Sequence, residues 1–163
     1  MRKWIIAAIL GATGFVLAAF AQSKDVLVGT WKLVSATSTT EKGDVRDAFG
    51  PNPTGFLTYT AEGRMTGIIT YGGRKPLSVP DYVAAPAAER AEAFATMIAY
   101  AGRYSFTGDK VIHHVEAAWM QDRVGTDFVR FAKLEGDRLT LRTPPILVGG
   151  VRVVTELVWQ RMK

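Results

Sequence analysis

The sequence predicts an all-β protein, an eight-stranded antiparallel up-and-down barrel with one helix inserted between strands three and four. Most of the chain after residue 26 consists of short segments of β-branched and aromatic residues separated by turn residues. Three turns are short, contain glycine and join neighbouring segments into hairpins: Ala61-Glu62-Gly63, Thr107-Gly108-Asp109 and Glu135-Gly136-Asp137. Eight strands can close a barrel that holds one small ligand, and closure removes exposed strand edges.

Three strands are predicted before the helix. The first has Trp31, Leu33 and Ser35 on one face, as the two-residue period of a strand requires. A loop follows, because Pro51 and Pro53 exclude a central strand. The predicted bounds are 26–38 for the first strand, 43–54 for the loop, and 55–60 and 64–71 for the hairpin of strands two and three.

A helix is predicted over residues 86–100, beginning near Pro86 and ending near Gly102. Apolar residues recur there at spacings of three and four and form one narrow apolar face: Ala87, Ala91, Phe94, Met97, Ile98 and Ala101. This helix is expected to cover one mouth of the barrel as a lid or a plug.

Five strands are predicted after the helix, and two hairpins connect the first four of them. The dipeptide Pro144-Pro145 ends the seventh strand, because proline cannot continue a sheet ladder. The predicted bounds are 103–106, 110–118, 126–134, 138–143 and 151–161.

Residues 1–21 have the pattern of a secretory signal peptide. Arg2 and Lys3 precede an uncharged run that ends in Ala19-Phe20-Ala21, so cleavage is expected before Gln22. The alternative is a membrane anchor, but the run is at the short limit for a membrane span. We therefore expect a secreted, periplasmic protein with one barrel domain over residues 22–163 and no membrane span after cleavage.

Charge and cysteine content exclude several classes of site. Cleavage would remove Arg2 and Lys3 and lower the formal net charge from +5 to +3, and no run of like charges suggests a nucleic-acid partner. The chain has no cysteine, which excludes disulfides, cysteine-ligated zinc and a lipid-modified N-terminal cysteine. We expect no metal and no cofactor.

The two ends of the barrel region and several blocks between them resemble a known family. Gly29-Thr30-Trp31 opens the first strand and Trp159-Gln160-Arg161 closes the last, an arrangement that resembles the lipocalin and calycin superfamily. Blocks in the middle of the chain look like the lipocalin-like domain family of bacteria and fungi: 99–104, 111–116, Gly125-Thr126 with Arg130, and 134–141.

The resemblance implies a calycin-like barrel with an internal cavity, without implying one activity. It also implies that Gly29, Trp31 and Arg161 close the barrel base, with the arginine against the tryptophan ring in a cation–π contact.

His113 and His114 are the only histidines, and neighbours on a strand point to opposite faces. His113 shares its predicted face with Val111, Val115 and Ala117, so we expect His113 to be interior. It could then act as a general acid or base. The alternative is a structural histidine that is hydrogen-bonded to a neighbouring strand.

Arg130 shares its predicted face with Phe128, Ala132 and Leu134. It could be a fixed cation that receives a ligand carboxylate. The alternative is a structural ion pair with Glu156, a charged residue within the apolar last strand.

A cavity, if present, would be lined by aromatic and apolar side chains with a few polar anchors. The alternative for the aromatic residues and the methionine is ordinary core packing. The expected ligand-binding residues are Tyr59, Tyr71, Met97, Tyr104, Phe106, His113, Trp119 and Arg130.

These observations favour a barrel that binds a small hydrophobic molecule, as a monomer or homodimer. One alternative is a cyclase or isomerase that uses His113 and Arg130 on a hydrophobic substrate. Another is a barrel filled by its own side chains that serves a structural or interaction role in the cell envelope. No Gly-x-Ser-x-Gly elbow is present, and no nucleophilic triad is expected from the spacing of the histidines.

Overall fold

The computed structural model describes residues 23–163, and the predicted signal peptide lies outside this range. The described chain forms the predicted all-β barrel, with one helix between the third and fourth barrel strands. The elements are β1 Gly29–Thr40, β2 Val45–Asp47, β3 Thr54–Tyr59, β4 Arg64–Thr70, α1 Ala87–Ala95, β5 Met97–Phe106, β6 Lys110–Ala118, β7 Asp127–Glu135, β8 Arg138–Arg142, β9 Ile146–Val148 and β10 Val151–Arg161.

The barrel closes because β1 pairs with β3 on one side and with β10 on the other. Its eight strands run in the order β1, β3, β4, β5, β6, β7, β8 and β10, all antiparallel to their neighbours. Two further strands, β2 and β9, are three residues long and pair with β1 and β10 outside the closed ladder. The fold class predicted from the sequence is confirmed.

The predicted hairpin turns lie between β3 and β4, between β5 and β6, and between β7 and β8. Gly63 in the first and Gly136 in the third have φ values of 85° and 60°. Residues with a side chain rarely adopt these values, so glycine allows the chain to reverse within two or three residues.

The predicted helix is too long. It ends at Ala95, and Thr96 caps it through its backbone N–H and its hydroxyl, both of which donate to the carbonyl of Glu92. Residues 97–100 instead begin β5, where Met97 pairs with Thr70 of β4. Ile98 and Tyr100 also satisfy the two-residue period, and pairing with two neighbouring strands satisfies their backbone groups.

The predicted apolar helix face is not a core face, because no residue of α1 is buried. Phe94 is half exposed. Three of the apolar residues assigned to that face, Met97, Ile98 and Ala101, belong to β5. The helix therefore connects β4 to β5 outside the barrel and does not plug it.

The pairing of β5 with β6 contains a bulge between Ala101 and Gly102, which breaks the predicted alternation on β6. Ala117 lies opposite Ala101 and is exposed, so its predicted place on the interior face with His113 is wrong. A Cβ atom on Gly102 would lie 1.9 Å from the carbonyl oxygen of His114. This close backbone approach explains why glycine occupies the bulge.

The core lies inside the barrel and is densest at the end where β1 begins. Trp31 is fully buried there, and its indole N–H donates to the carbonyl of Leu27 at 2.8 Å. The main buried apolar side chains are Leu27, Trp31, Leu33, Leu57, Tyr59, Met65, Tyr104, Val111, Leu139, Leu141, Leu157 and Trp159.

Arg161 closes this end of the barrel. Its guanidinium lies 4.1 Å from the centre of the Trp31 ring. The same group donates to the backbone carbonyls of Val28 and Val26 at 2.5 and 2.6 Å and lies 3.3 Å from the carboxylate of Asp137. The last strand thus ties the chain segment that enters β1 to the β7–β8 turn.

The opposite end of the barrel is less tightly packed. Phe49, from the segment between β2 and β3, is buried there with its ring centre 4.9 Å from that of Tyr71. The inward side chains Ile98, Tyr100 and Phe128 on β5 and β7 are only partly buried. We call this end the open end, and the end with Trp31 and Arg161 the closed end.

Candidate functional site

A small internal cavity of about 20 Å³ lies in the middle of the barrel. A cavity of this size holds about one water molecule. Seven strands contribute to its wall, with these residues: Leu57, Gly67, Ile69, Tyr100, His113, Arg130, Leu141, Leu157 and Trp159. Its wall is therefore apolar except for four side chains that carry polar groups, which are Tyr100, His113, Arg130 and Trp159.

His113 is held between two tyrosines. Its Nε2 atom lies 2.7 Å from the hydroxyl of Tyr59, and its Nδ1 atom lies 3.0 Å from the hydroxyl of Tyr100. A neutral imidazole has one donor and one acceptor nitrogen. One tyrosine therefore donates to the ring and the other accepts from it, so both ring nitrogens are satisfied.

Burial keeps this group of side chains uncharged. Desolvation, together with the charges of Arg130 and His114, lowers the pKa of His113 to about 3. Desolvation also raises the pKa of Tyr59 well above its usual value, and it raises the pKa of Tyr100. At neutral pH the imidazole and both phenols are therefore neutral, and Arg130 is the charged group at the cavity.

Arg130 extends from β7 into the barrel, because it pairs with the buried Val111 of β6 and so points to the same side. Its guanidinium lies 5.2 Å from the centre of the Phe128 ring, and it donates to the carbonyl of Val129 at 2.9 Å. Its positive charge partly opposes the rise that burial causes in the pKa values of Tyr59 and Tyr100.

No carboxylate among residues 23–163 forms an ion pair with Arg130. The predicted alternative, a structural pair with Glu156, is wrong. Glu156 instead lies 3.5 Å from Arg142, its cross-strand neighbour. An arginine inside a barrel without an acidic partner carries an uncompensated positive charge.

Trp159 contributes an unsatisfied donor to the cavity wall. Its indole Nε1 atom is buried and has no hydrogen-bond partner among the described residues. Buried polar groups are nearly always hydrogen-bonded, and an exception calls for an explanation such as a water, an ion or a ligand. One guanidinium without an acidic partner and one indole N–H without an acceptor thus border the same space.

The structure places two of the eight expected ligand-binding residues, His113 and Arg130, on the cavity wall. Tyr59 and Tyr104 lie behind this wall toward the closed end, with ring centres 4.6 Å apart, and the Tyr104 hydroxyl donates to the carbonyl of Thr60. Phe106 packs on the core, and Tyr71 lies at the open end against Phe49.

Met97 and Trp119 lie away from the cavity. Met97 alternates with the inward Ile98 on β5 and therefore faces the other side of the strand. Trp119 follows β6 and borders an apolar groove of about 380 Å³ on the barrel surface, together with Ile68, Ala99 and Ala101.

Sequence reasoning missed Tyr100 and Trp159 as cavity residues. The spacing of apolar residues places Tyr100 in the predicted helix, although its alternation with Ile98 and Gly102 is also consistent with a strand. Trp159 enters the sequence prediction only through the closing block with Arg161. Its two-residue spacing from Leu157 within the last strand was the signal that could have placed it inside the barrel.

Within residues 23–163, no group of three or more histidine, aspartate or glutamate side chains is arranged to hold a metal ion. No helix in the same part of the chain is both long and apolar enough to span a membrane.

Residues 28–162 match the lipocalin-like domain family. No curated protein matches the chain. A crystal structure of a lipocalin-like protein from Bacteroides uniformis aligns with 13% identity and a TM-score of 0.42, covering 83% of this chain and 98% of that chain. A mutant of the fluorescent protein UnaG aligns with 15% identity and a TM-score of 0.36, covering 85% of this chain and 98% of that chain.

Proposed function

The chain belongs to the lipocalin-like domain family, and we propose that its barrel binds a small hydrophobic molecule that carries one carboxylate. The observation that carries the proposal is the pair of donors at the cavity. Arg130 has no acidic partner and Trp159 Nε1 has no acceptor among the described residues, and both border the same internal space.

A carboxylate would satisfy both donors. Its two oxygens accept hydrogen bonds from a guanidinium in a bidentate geometry. The carboxylate also supplies the negative charge that would balance the positive charge of Arg130. In a site with apolar walls such a pairing is stronger than in water. His113 and Tyr100 border the same space and are neutral, so they do not repel the carboxylate.

The rest of the ligand would lie against apolar side chains between the cavity and the open end. Leu57, Ile69 and Leu157 line the cavity, and Ile98 and Phe128 follow toward the open end. The cavity of about 20 Å³ is smaller than a ligand, so binding requires side chains at the open end to move outward. These side chains are only partly buried, which makes this movement less costly than at the closed end.

Proton-transfer catalysis is a weaker proposal for the same site. A cyclase or isomerase would need His113 and Arg130 at one cavity, and both are there. However, the low pKa of His113, about 3, makes it a poor base at neutral pH, where general bases work best with a pKa near the working pH. Both ring nitrogens are also engaged by tyrosines.

Calorimetric titration of the mature protein, residues 22–163, with dodecanoic acid and with dodecanol tests the proposal. The two probes share the alkyl chain and differ in the headgroup. We expect the acid to bind at least about tenfold more tightly than the alcohol, because a charge-assisted hydrogen bond contributes about 1.5–3 kcal/mol. Arg130→Met should remove most of this difference.

Arg142→Met is the matched control. Arg142 lies on β8, is exposed and pairs with Glu156, so its loss should leave the preference for the acid unchanged. Equal affinities for the two probes would contradict the role of Arg130. Binding of neither probe, together with no lipophilic molecule extracted from the purified protein, would favour a barrel that is filled by its own side chains.

We also propose that the protein acts in the bacterial periplasm, on the basis of the signal pattern in residues 1–21. Cell fractionation and N-terminal sequencing test this location. We expect a periplasmic protein that begins at Gln22, and a cytoplasmic protein that retains Met1 would contradict it.

A further inference from the structure

Three exposed side chains on adjacent strands form a hydrogen-bonded chain on the outside of the barrel. The hydroxyl of Ser105 on β5 lies 3.1 Å from Nε2 of His114 on β6. Nδ1 of His114 lies 2.7 Å from a carboxylate oxygen of Asp127 on β7. We call these three residues the surface relay.

Strand pairing produces the relay. His114 lies directly opposite Asp127 and directly opposite Arg103, and Ser105 is two residues beyond Arg103 on the same face of β5. The alternation that turns His113 into the barrel turns His114 out of it. Side chains on three neighbouring strands can therefore meet although they are distant in sequence. Spacing along the chain alone does not predict this cluster.

The hydrogen bond to Asp127 fixes the position of one imidazole proton. A carboxylate only accepts, so Nδ1 carries a proton and donates a hydrogen bond to Asp127. In the neutral ring Nε2 then has a free lone pair and accepts from the Ser105 hydroxyl. This is the arrangement in which a histidine can remove the proton of a serine while a carboxylate orients the ring.

We propose that the surface relay hydrolyses small carboxylic esters, with Ser105 as the nucleophile, His114 as the general base and acid, and Asp127 as the positioning residue. Ser105 Oγ bonds to the ester carbonyl carbon, and its proton passes to Nε2 of His114. The bond to the alkoxy oxygen then breaks, and that oxygen leaves as an alcohol with the proton from His114. Water attacks the acyl-serine, gives one proton to His114 and releases the acid, and the proton returns to Ser105.

The relay borders a polar surface cleft of mixed charge. The cleft has a volume of about 360 Å³, and its wall contains His114 together with charged side chains of both signs: Lys24, Glu62 and Arg103. Arg103 is engaged by Glu116 at 2.9 Å, whereas Lys24 forms no ion pair with any residue in the described range. An ammonium group near the cleft can stabilise the oxyanion of the tetrahedral intermediate.

Covalent labelling of the mature protein with a fluorophosphonate, followed by peptide mapping, tests the nucleophile. We expect the label on Ser105. Ser105→Ala and His114→Gln should abolish it, while Ser78→Ala, a change at an exposed serine bonded to Glu89, should leave it intact. Absence of label on Ser105 in the folded wild-type protein would overturn the proposal.

Hydrolysis of p-nitrophenyl acetate separates the relay from simple imidazole chemistry. We expect Ser105→Ala and His114→Gln each to lower the rate by at least about tenfold. If the hydrolysis rate is unchanged in Ser105→Ala but lost in His114→Gln, the imidazole attacks the ester directly. This result would overturn the proposal. Because the three residues are exposed, thermal unfolding curves should show that each variant folds like the wild type. Arg142→Met, a change at an exposed arginine outside both the internal cavity and the surface relay, should retain the activity.

Discussion

The hydroxyl of Tyr59 lies 2.7 Å from Nε2 of His113, and both side chains are about 99% buried inside the barrel. Tyr59→Phe removes this partner and leaves one ring nitrogen without a hydrogen bond. We expect the free energy of unfolding to fall by about 1–3 kcal/mol, the cost of an unsatisfied buried polar group. Urea denaturation measures it. Tyr71→Phe is the control, since no hydrogen bond involves the Tyr71 hydroxyl within residues 23–163, and its effect should stay within about 0.5 kcal/mol.

Stability should fall as the pH is lowered because of His113. Its pKa is about 3 in the folded protein and 6.5 in the unfolded reference, so below pH 6.5 the unfolded chain binds the proton first. The stabilisation is complete above pH 6.5 and is lost as the pH falls toward 3. We expect a loss of about 2 kcal/mol between pH 7 and pH 5. In His113→Gln the free energy of unfolding should change little between pH 7 and pH 5. An equal pH dependence in both proteins would mean that other groups cause the effect.

Arg130→Met should leave the ligand-free protein as stable as the wild type or make it more stable. The change leaves no carboxylate among the described residues without a partner, because none pairs with Arg130. It also removes a positive charge that is partly desolvated in the folded protein. Thermal denaturation without added ligand measures the effect. A loss of about 3–5 kcal/mol, the cost of breaking a buried ion pair, would show that Arg130 is a structural residue.

Arg161→Ala should destabilise the barrel by about 2–4 kcal/mol. The change removes two hydrogen bonds from a charged donor and the contact with the Trp31 ring. Arg138→Ala, at an exposed arginine without an ion pair in the described region, should cost no more than about 0.5 kcal/mol. Equal effects of the two variants in chemical denaturation would contradict a special role for Arg161.

Gly102→Ala should lower the free energy of unfolding by about 3 kcal/mol or more. The new Cβ atom would lie 1.9 Å from the carbonyl oxygen of His114, so the backbone must shift. Gly67→Ala is the matched control on the neighbouring strand. A Cβ atom there meets Tyr100 and Leu57 at 3.5–3.6 Å, which is ordinary contact, so the change should stay within about 1 kcal/mol. If the two variants had the same unfolding midpoint, the close backbone approach at the bulge would not require glycine at position 102.

The hairpins and the last strand could be predicted from local signals. A glycine such as Gly63 marks a turn because few other residues adopt its backbone angles, and that information is contained in the residue itself. The end of the helix could not be predicted in this way. Residues 97–100 are compatible with both a helix and a strand, and pairing with β4 and β6 decides between them.

The sequence by itself determined the all-β class, the position of the single helix and the alternation that separates His113 from His114, because turns and two-residue periods are local properties. The tertiary structure decided which distant residues meet. Closure of the barrel joined β1 to β10 and paired Glu156 with Arg142. It left Arg130 without an acidic partner and Trp159 Nε1 without an acceptor at one cavity. It also brought Ser105, His114 and Asp127 together, because the register between strands depends on the packing of the whole barrel.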